Sequence, residues 1–157
     1  VLTDQERAAR EAQRRKEVEE QARANEERRR ERALVARYPN QAAHDAERAA
    51  ALEQVDQLTA VAEKRMVELQ VQRKQFDTEM EFYAREPNKA PMHLRRAIAE
   101  NDDAMAEQQR FVAGQAQEKR NVYQRFDAEL AQLRKLWAAR AAHAAPLPES
   151  ADSTGKP

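Results

Sequence analysis

The sequence predicts an all-α fold: a long antiparallel helical hairpin of the coiled-coil type, preceded by a charged single helix. The composition is the first observation, because charged residues make up 36% of the 157 residues, aromatic residues 5%, and there are only two glycines. Ala, Glu, Arg, Gln and Leu dominate, and these residues lose little side-chain freedom in a helix. The second observation is an apolar seam with alternating steps of three and four residues, and the third is a pair of proline-containing interruptions that divide the chain into helices.

The first segment, residues 1–37, is predicted to be a solvated helix that frays toward Val1. Val18 is the only large aliphatic side chain in residues 4–32, so this stretch has no apolar face to bury. Glu and Arg recur at helical spacing and can form ion pairs along the helix, each contributing roughly 0.2–0.5 kcal/mol. The pairs are Glu11–Arg15, Glu19–Arg23 and Glu26–Arg30. A disordered charged linker is the alternative, because exposed ion pairs contribute little.

A helix boundary is predicted at Tyr38-Pro39-Asn40. The residue before a proline is driven out of the α conformation, which ends the first helix. Asn40 is a competent N-cap for the helix that follows. The predicted hairpin therefore begins here and occupies residues 38–142.

The second helix, from about Gln41 to Arg85, carries the strongest signal in the sequence. Its apolar seam follows the a/d spacing of a coiled coil for more than four heptads, with one charged interruption at Arg73. The seam residues are Leu52, Val55, Thr59, Ala62, Met66, Leu69, Arg73, Phe76, Met80 and Tyr83.

The third helix, from about Met92 to Ala142, follows a predicted loop at residues 86–91 that contains two prolines. A short loop makes the helices antiparallel neighbours. Gly114 lies within the helix and marks a soft point or a close approach. Residues at multiples of seven and their apolar partners form its predicted seam, which Asp102, Gln109 and Lys119 weaken in the middle. The seam residues of this helix are Leu94, Ile98, Met105, Val112, Tyr123, Phe126, Leu130, Leu133 and Trp137.

The two stripes match if residue numbers facing each other sum to about 177–178, as an antiparallel hairpin requires. This register sets Met80 against Ile98, Met66 against Val112, Val55 against Tyr123 and Leu52 against Phe126. It also predicts a small three-element cluster at the far end, anchored by the single Trp. Its members are Leu34, Val35, Tyr38, Leu130, Leu133 and Trp137.

Several apolar residues lie outside this seam and are candidates for binding a partner. Phe111, Val122 and Leu136 fall on nearly one face of the third helix, and scattered surface residues are the alternative interpretation. Phe82 and Met92 flank the predicted loop. Residues 143–157 have no core face and are predicted to be a disordered tail.

No residue pattern indicates catalysis, a cofactor or a metal. Cysteine is absent, and the only serines lie in the tail. His44 with Glu47 has the spacing of half a metal site, but no second pair faces it. His93 lies near Arg95 and Arg96, where an exposed loop histidine is the simpler interpretation. We therefore expect no enzyme activity, no metal, no cofactor and no small-molecule substrate.

The charge balance bears on partners. The 28 Lys and Arg balance 28 Asp and Glu, so no excess positive field exists to collect phosphates, and nucleic-acid binding is not expected. The basic run Arg28-Arg29-Arg30-Glu31-Arg32 is nearly cancelled by neighbouring glutamates. No apolar run approaches the roughly 20 residues that span a bilayer, so no membrane span is expected.

Over roughly residues 30–137 the chain resembles the coiled-coil C-terminal region of bacterial exported proteins of the domain-of-unknown-function 4124 family. The resemblance rests on the segments 33–39, 45–48, 79–83, 94–96, 100–102 and 125–130, with Leu133 and Trp137. It implies a periplasmic location and no assigned activity. That family's small N-terminal domain is not in this chain.

Two functions follow from these patterns. The first is a structural or interaction protein, a scaffold or accessory component of a larger assembly that binds a protein partner or self-associates. The second is a periplasmic holdase-like chaperone that grips unfolded clients near the hairpin tip, where Met and aromatic side chains collect. An enzyme or metal protein survives only if His44 finds ligands on another chain.

Overall fold

The computed structural model describes residues 1–144 and confirms the all-α class, since regular structure within this part of the chain is helical throughout. Helix α1 spans Asp4–Arg37, α2 spans Gln41–Met80 and α3 spans Met92–Ala144. Two single-turn 3₁₀ helices, Glu81–Tyr83 and Pro87–Lys89, lie between α2 and α3. The α-helical part of the second segment thus ends five residues before the predicted Arg85, and the chain tightens into a 3₁₀ turn instead.

Residues 4–32 form a helix, which decides between the two interpretations of this charged stretch. Thr3 caps the N-terminus of this helix. The backbone N–H of Glu6 donates to Thr3 Oγ1 at 3.1 Å, and the backbone N–H of Thr3 donates to Glu6 Oε2 at 3.3 Å. Of the three predicted Glu–Arg pairs, only Glu26–Arg30 lies within 4 Å in the described residues, at 3.5 Å.

The boundary between α1 and α2 falls where Pro39 predicts it. The backbone N–H of Tyr38 donates to the Leu34 carbonyl at 2.9 Å and closes α1. Asn40 then caps α2, because its Oδ1 accepts a hydrogen bond from the backbone N–H of Ala43 at 3.0 Å. Three residues therefore suffice to end one helix and begin the next.

The chain divides into two compact units. Unit 1 comprises Val1–His44 and Ala128–Pro157, and unit 2 comprises Asp45–Asp127. The predicted tail starts at residue 143, but α3 continues to Ala144. The remaining tail residues, 145–157, lie outside the described residues.

In unit 1 the end of α1 packs against the last part of α3, in the cluster that the sequence predicts. Val35, Tyr38 and Leu133 are buried together, and the partly buried side chains around them include Leu34 and Trp137. The indole Nε1–H of Trp137 donates to the Tyr38 carbonyl at 2.9 Å, so the Trp satisfies its own polar group at the end of α1.

In unit 2, α2 and α3 lie side by side in antiparallel order. Three cross-helix ion pairs show this order, because the residue numbers of each pair add up to 175. They are Arg48–Asp127 at 2.7 Å, Asp56–Lys119 at 2.8 Å and Arg73–Asp102 at 2.9 Å. Leu52 packs against the cluster that contains Phe126, and the register of 177–178 stays a prediction.

Candidate functional site

The predicted seam of α2 and its 3₁₀ extension is the inward face of unit 2. Val55, Ala62 and Leu69 are buried, and the remaining seven predicted positions are half-buried, including Arg73. The alternation of three- and four-residue steps thus identified this face correctly. Arg73 occupies its seam position by donating to Asp102 at 2.9 Å while its charge stays partly in water.

The predicted seam of α3 is buried or half-buried at every position except Tyr123. The residues at multiples of seven, Ile98, Met105, Val112, Phe126 and Leu133, are buried or half-buried as expected. Of the predicted partners, Leu94 is buried, Leu130 and Trp137 are half-buried, and Tyr123 is exposed. The inward series is Leu94, Asn101, Gln108, Gln115, Val122 and Glu129, whereas Asp102, Gln109 and Tyr123 are exposed.

Val122 therefore lies in the seam and Tyr123 lies outside it, which is the reverse of their predicted positions. Val122, predicted to bind a partner, is 2% exposed and packs with Val55 and Phe126, while Leu52 packs against the same cluster. Tyr123, predicted to face Val55, is 44% exposed. The prediction for Val122 and Tyr123 failed because three- and four-residue steps both return to nearly the same helix face, and four polar residues concealed the series that contains Val122.

Asn101 is a buried polar residue in this seam. It is 4% exposed, and its Nδ2 donates to the Leu69 carbonyl at 3.0 Å and to Gln72 Oε1 at 2.9 Å. A buried side-chain amide is tolerated because it is hydrogen-bonded, and one such residue can select a single register of paired helices. The burial of Asn101 was not predicted, because a polar residue is ordinarily expected on the exposed face of a helix.

An exposed apolar surface flanks the seam of unit 2, and we call it the apolar strip. Leu58 and Val61 of α2 and Phe111 of α3 form its apolar part, and all three are exposed. They line a shallow groove of about 520 Å³ with Ala62, Arg65, Glu107 and Gln108. Phe111 was predicted as a partner-binding residue, whereas the α2 half of the strip was missed because Leu58 and Val61 do not repeat along the helix.

The other predicted partner-binding residues fall into two groups. Phe82, at 88% exposure, and Met92, at 61%, are open to solvent on either side of the connection between α2 and α3. Leu136 is half-buried and packs against the unit 1 cluster, so its assignment to a free surface needs correction. Leu136 is directed inward because it follows Leu133 by three residues and faces the end of α1.

His44, which the sequence analysis considered as half of a metal site, is fully buried in unit 1. Its Nε2 lies 2.8 Å from Glu129 Oε1, and its ring meets the Tyr38 ring edge-on at a centroid distance of 4.9 Å. These contacts tie the start of α2 to α3 and to the end of α1 within this unit. The histidine thus has the position of a structural residue.

Ion pairs shift the pKa of a few surface groups. A hydrogen bond to Asp56 and the negative charge of that residue raise the pKa of Lys119. In α1, a hydrogen bond from Arg29 is the largest influence on Glu26 and lowers the pKa of its carboxyl group, with further contributions from the charges of Arg29 and Arg30. Each shift favours the charged form and supports a solvated helix surface.

Arg48 is a charged residue that contacts the apolar cluster of unit 2. Its guanidinium carbon lies 5.8 Å from the centroid of the Phe126 ring, and its Nη1 donates to Asp127. Its Nε and Nη2 are buried without a hydrogen-bond partner among the described residues, and the ring face offers them an electrostatic contact instead.

Within residues 1–144, no group of three or more His, Cys, Asp or Glu side chains is arranged to hold a metal ion. In the same part of the chain, no helix combines the length and the apolar character needed to cross a membrane.

The chain matches no protein-family model, no curated protein and no solved structure.

Proposed function

We propose that this chain is a non-enzymatic structural or interaction protein, a helical scaffold or accessory component of a larger assembly. The periplasmic location that we propose with it rests on the resemblance described above, which also suggests a bacterial exported protein. The partner is a protein helix, from a second copy or from another protein. Nucleic acid, small-molecule substrates and cofactors have no part in this proposal.

The apolar strip is the observation that carries the proposal. Leu58, Val61 and Phe111 keep much of their surface in water although they lie beside a packed seam. Positions that flank a seam determine which helix pairs with it, and an apolar flank favours a further helix. Full burial of such a side chain contributes roughly 1.5–3 kcal/mol, and the exposed part a fraction of that.

The charges around the strip support a helix as the partner. Arg65 and Glu107 line the same groove, one on each helix. A partner helix with an apolar stripe between an acidic and a basic edge would meet both charges favourably. Rim charges of this kind contribute more to the alignment and rate of association than to affinity.

Light scattering and co-purification test this function. We expect a mass above that of the 18.1 kDa monomer, or one stoichiometric protein partner. Phe111→Ser should weaken this association. Val67→Ser is the matched control, because Val67 is 58% exposed but lies nine residues, about two and a half turns, from Leu58 on the opposite side of α2.

The outcomes separate cleanly. Association lost in Phe111→Ser and kept in Val67→Ser supports the apolar strip as the interface. A monomer that binds no stoichiometric partner, or equal effects of the two substitutions, would contradict the proposal. Circular dichroism of both variants shows whether the helices are retained.

A holdase-like chaperone is the second candidate function, and the exposure of Phe82 and Met92 favours it. Exposed aromatic and Met side chains adapt to irregular apolar clients. The chain should then suppress aggregation of an unrelated unfolded protein, and Phe82→Ser combined with Met92→Ser should remove this activity. Val18→Ser is a control with a similarly exposed residue on α1. Absence of suppression by the unmodified chain would exclude this function.

A further inference from the structure

Three arginines from two distant parts of the sequence line one groove in unit 1. Arg28 and Arg32 come from α1, and Arg140 comes from α3. The groove has a volume of about 530 Å³, and we call it the basic groove. Glu31 is its only acidic lining residue, so its net charge is positive in a chain whose overall charge is balanced.

The arginines of the basic groove differ from their neighbours in the same basic run. Arg29 and Arg30 pair with Glu26 at 2.6 and 3.5 Å. Among the described residues, by contrast, no carboxylate lies within 4 Å of the guanidinium groups of Arg28, Arg32 or Arg140. These three cations are available to an anionic ligand, and guanidinium groups bind carboxylates in paired hydrogen bonds.

The floor of the basic groove is apolar. Val35, Ala36 and Leu136 line it, at the edge of the cluster that holds α1 against α3. An apolar floor with a cationic rim fits a segment that carries one large apolar side chain and nearby carboxylates. A free inorganic anion would leave the floor uncovered.

A segment of this composition follows α3 directly in the sequence. Residues 145–157 contain one large aliphatic residue, Leu147, between two prolines, and then Glu149 and Asp152. Prolines restrict the unbound chain and so reduce the entropy lost on binding. We propose that residues 145–157 bind the basic groove of their own chain, with Leu147 on the apolar floor and the two carboxylates on the arginines.

The distances permit this arrangement. Ala144 ends α3 four residues after Arg140 and eight after Leu136, which corresponds to about 6 and 12 Å along the helix. An extended chain spans about 3.3 Å per residue, so Leu147 can return about 10 Å and Glu149 about 16 Å from Ala144. Leu147 can therefore reach past Arg140 to within about 2 Å of the level of Leu136, and Glu149 can reach past Leu136.

The lack of cysteine makes a direct test possible in the full chain. A nitroxide attached to Ser150→Cys is then the only spin label, and it broadens NMR signals of nearby methyl groups. We expect broadening of the Val35 and Leu136 methyl signals. Val18 serves as the reference, because it lies 17 residues before Val35, or about 26 Å along α1.

Charge reversal shows whether the basic groove causes the broadening. Arg32→Glu and Glu149→Arg should each reduce it, and the double variant should restore it by exchanging the two charges. Arg10→Glu, an exposed residue of α1 outside the groove, should have no effect. High salt should also reduce the broadening, because it screens exposed charges.

Two results would overturn the proposal. The first is uniform weak broadening that charge reversal does not change. The second is broadening seen only when an isotope-labelled chain without nitroxide is mixed with a spin-labelled chain. The segment would then bind the groove of a different molecule. The strip variant Phe111→Ser separates this proposal from the proposed function, since it should leave the broadening unchanged.

Discussion

Replacing Gly114 by alanine should stabilise the protein. Gly114 lies well inside α3, which spans Met92–Ala144, and it is exposed. A Cβ built at this position meets no atom within 4 Å in the described structure. Residues 1–144 thus make no close approach to Gly114, and among them the substitution adds a methyl group without a clash.

The magnitude follows from helix propensity. Glycine in a helix interior is about 0.8–1.0 kcal/mol less favourable than alanine, chiefly because its backbone is freer in the unfolded chain. No compensating loss arises from steric contact, so the full gain should be retained. For a chain of this length, 1 kcal/mol raises the melting temperature by roughly 2–4 °C.

Urea denaturation followed by circular dichroism measures this gain. Ala116→Gly is the matched control, because Ala116 is also exposed and lies two residues away in α3. It should lower the free energy of unfolding by about the same 1 kcal/mol. A neutral or destabilising Gly114→Ala, together with the expected loss in Ala116→Gly, would refute the reasoning. Loss of partner binding despite a stabilised fold would instead identify position 114 as a close contact with another chain.

Three further predictions concern packing, register and charge. Leu133→Ala should lower the free energy of unfolding, measured by urea denaturation, by about 2–5 kcal/mol because Leu133 is fully buried. Leu58→Ala, at an exposed position, should lower it by less than about 1 kcal/mol. Similar losses in the two variants would contradict the burial argument. Asn101→Leu should raise the free energy of unfolding by roughly 1 kcal/mol but permit more than one register of α2 against α3. Nitroxides on the two helices should then show several distances. A single unchanged distance would mean that Asn101 does not select the register. The folded pKa of Glu26 is lowered, so its contribution to α1 is present above its unfolded pKa and is lost as the pH falls through the folded value. Carboxyl NMR titration should give a higher pKa in Arg29→Gln, and an unchanged pKa would contradict the assigned cause.

The sequence was sufficient for the α2 seam and for the cluster around Trp137, because both depend on large apolar side chains at regular spacing. It was not sufficient for the polar inward positions of α3. There, Asn101, Gln108, Gln115 and Glu129 face inward, while the exposed Tyr123 suggests a neighbouring series. A helix accommodates both series within one turn, so only the facing residues of α2 decide between them.

Contacts between distant segments explain the remaining differences. His44 is buried because Glu129, 85 positions away, supplies a polar partner at 2.8 Å. The basic groove exists because Arg140 joins arginines that precede it by more than a hundred residues. Neither arrangement has a local signal, since the partner is unknown until the helices are paired.

The order of charge signs in the three cross-helix ion pairs has a mechanical consequence. Along α2 the signs alternate from Arg48 to Asp56 to Arg73, and the facing residues of α3 alternate in the opposite sense. Sliding α3 by eight residues, about 12 Å, would bring Lys119 opposite Arg48 and set two positive charges against each other. Each pair contributes at most about 1 kcal/mol, so the pairs do little to hold the helices together. Under a load along the helix axes, however, the ion pairs oppose sliding of α3 along α2. Unit 2 should therefore resist shear better than its thin apolar seam alone would.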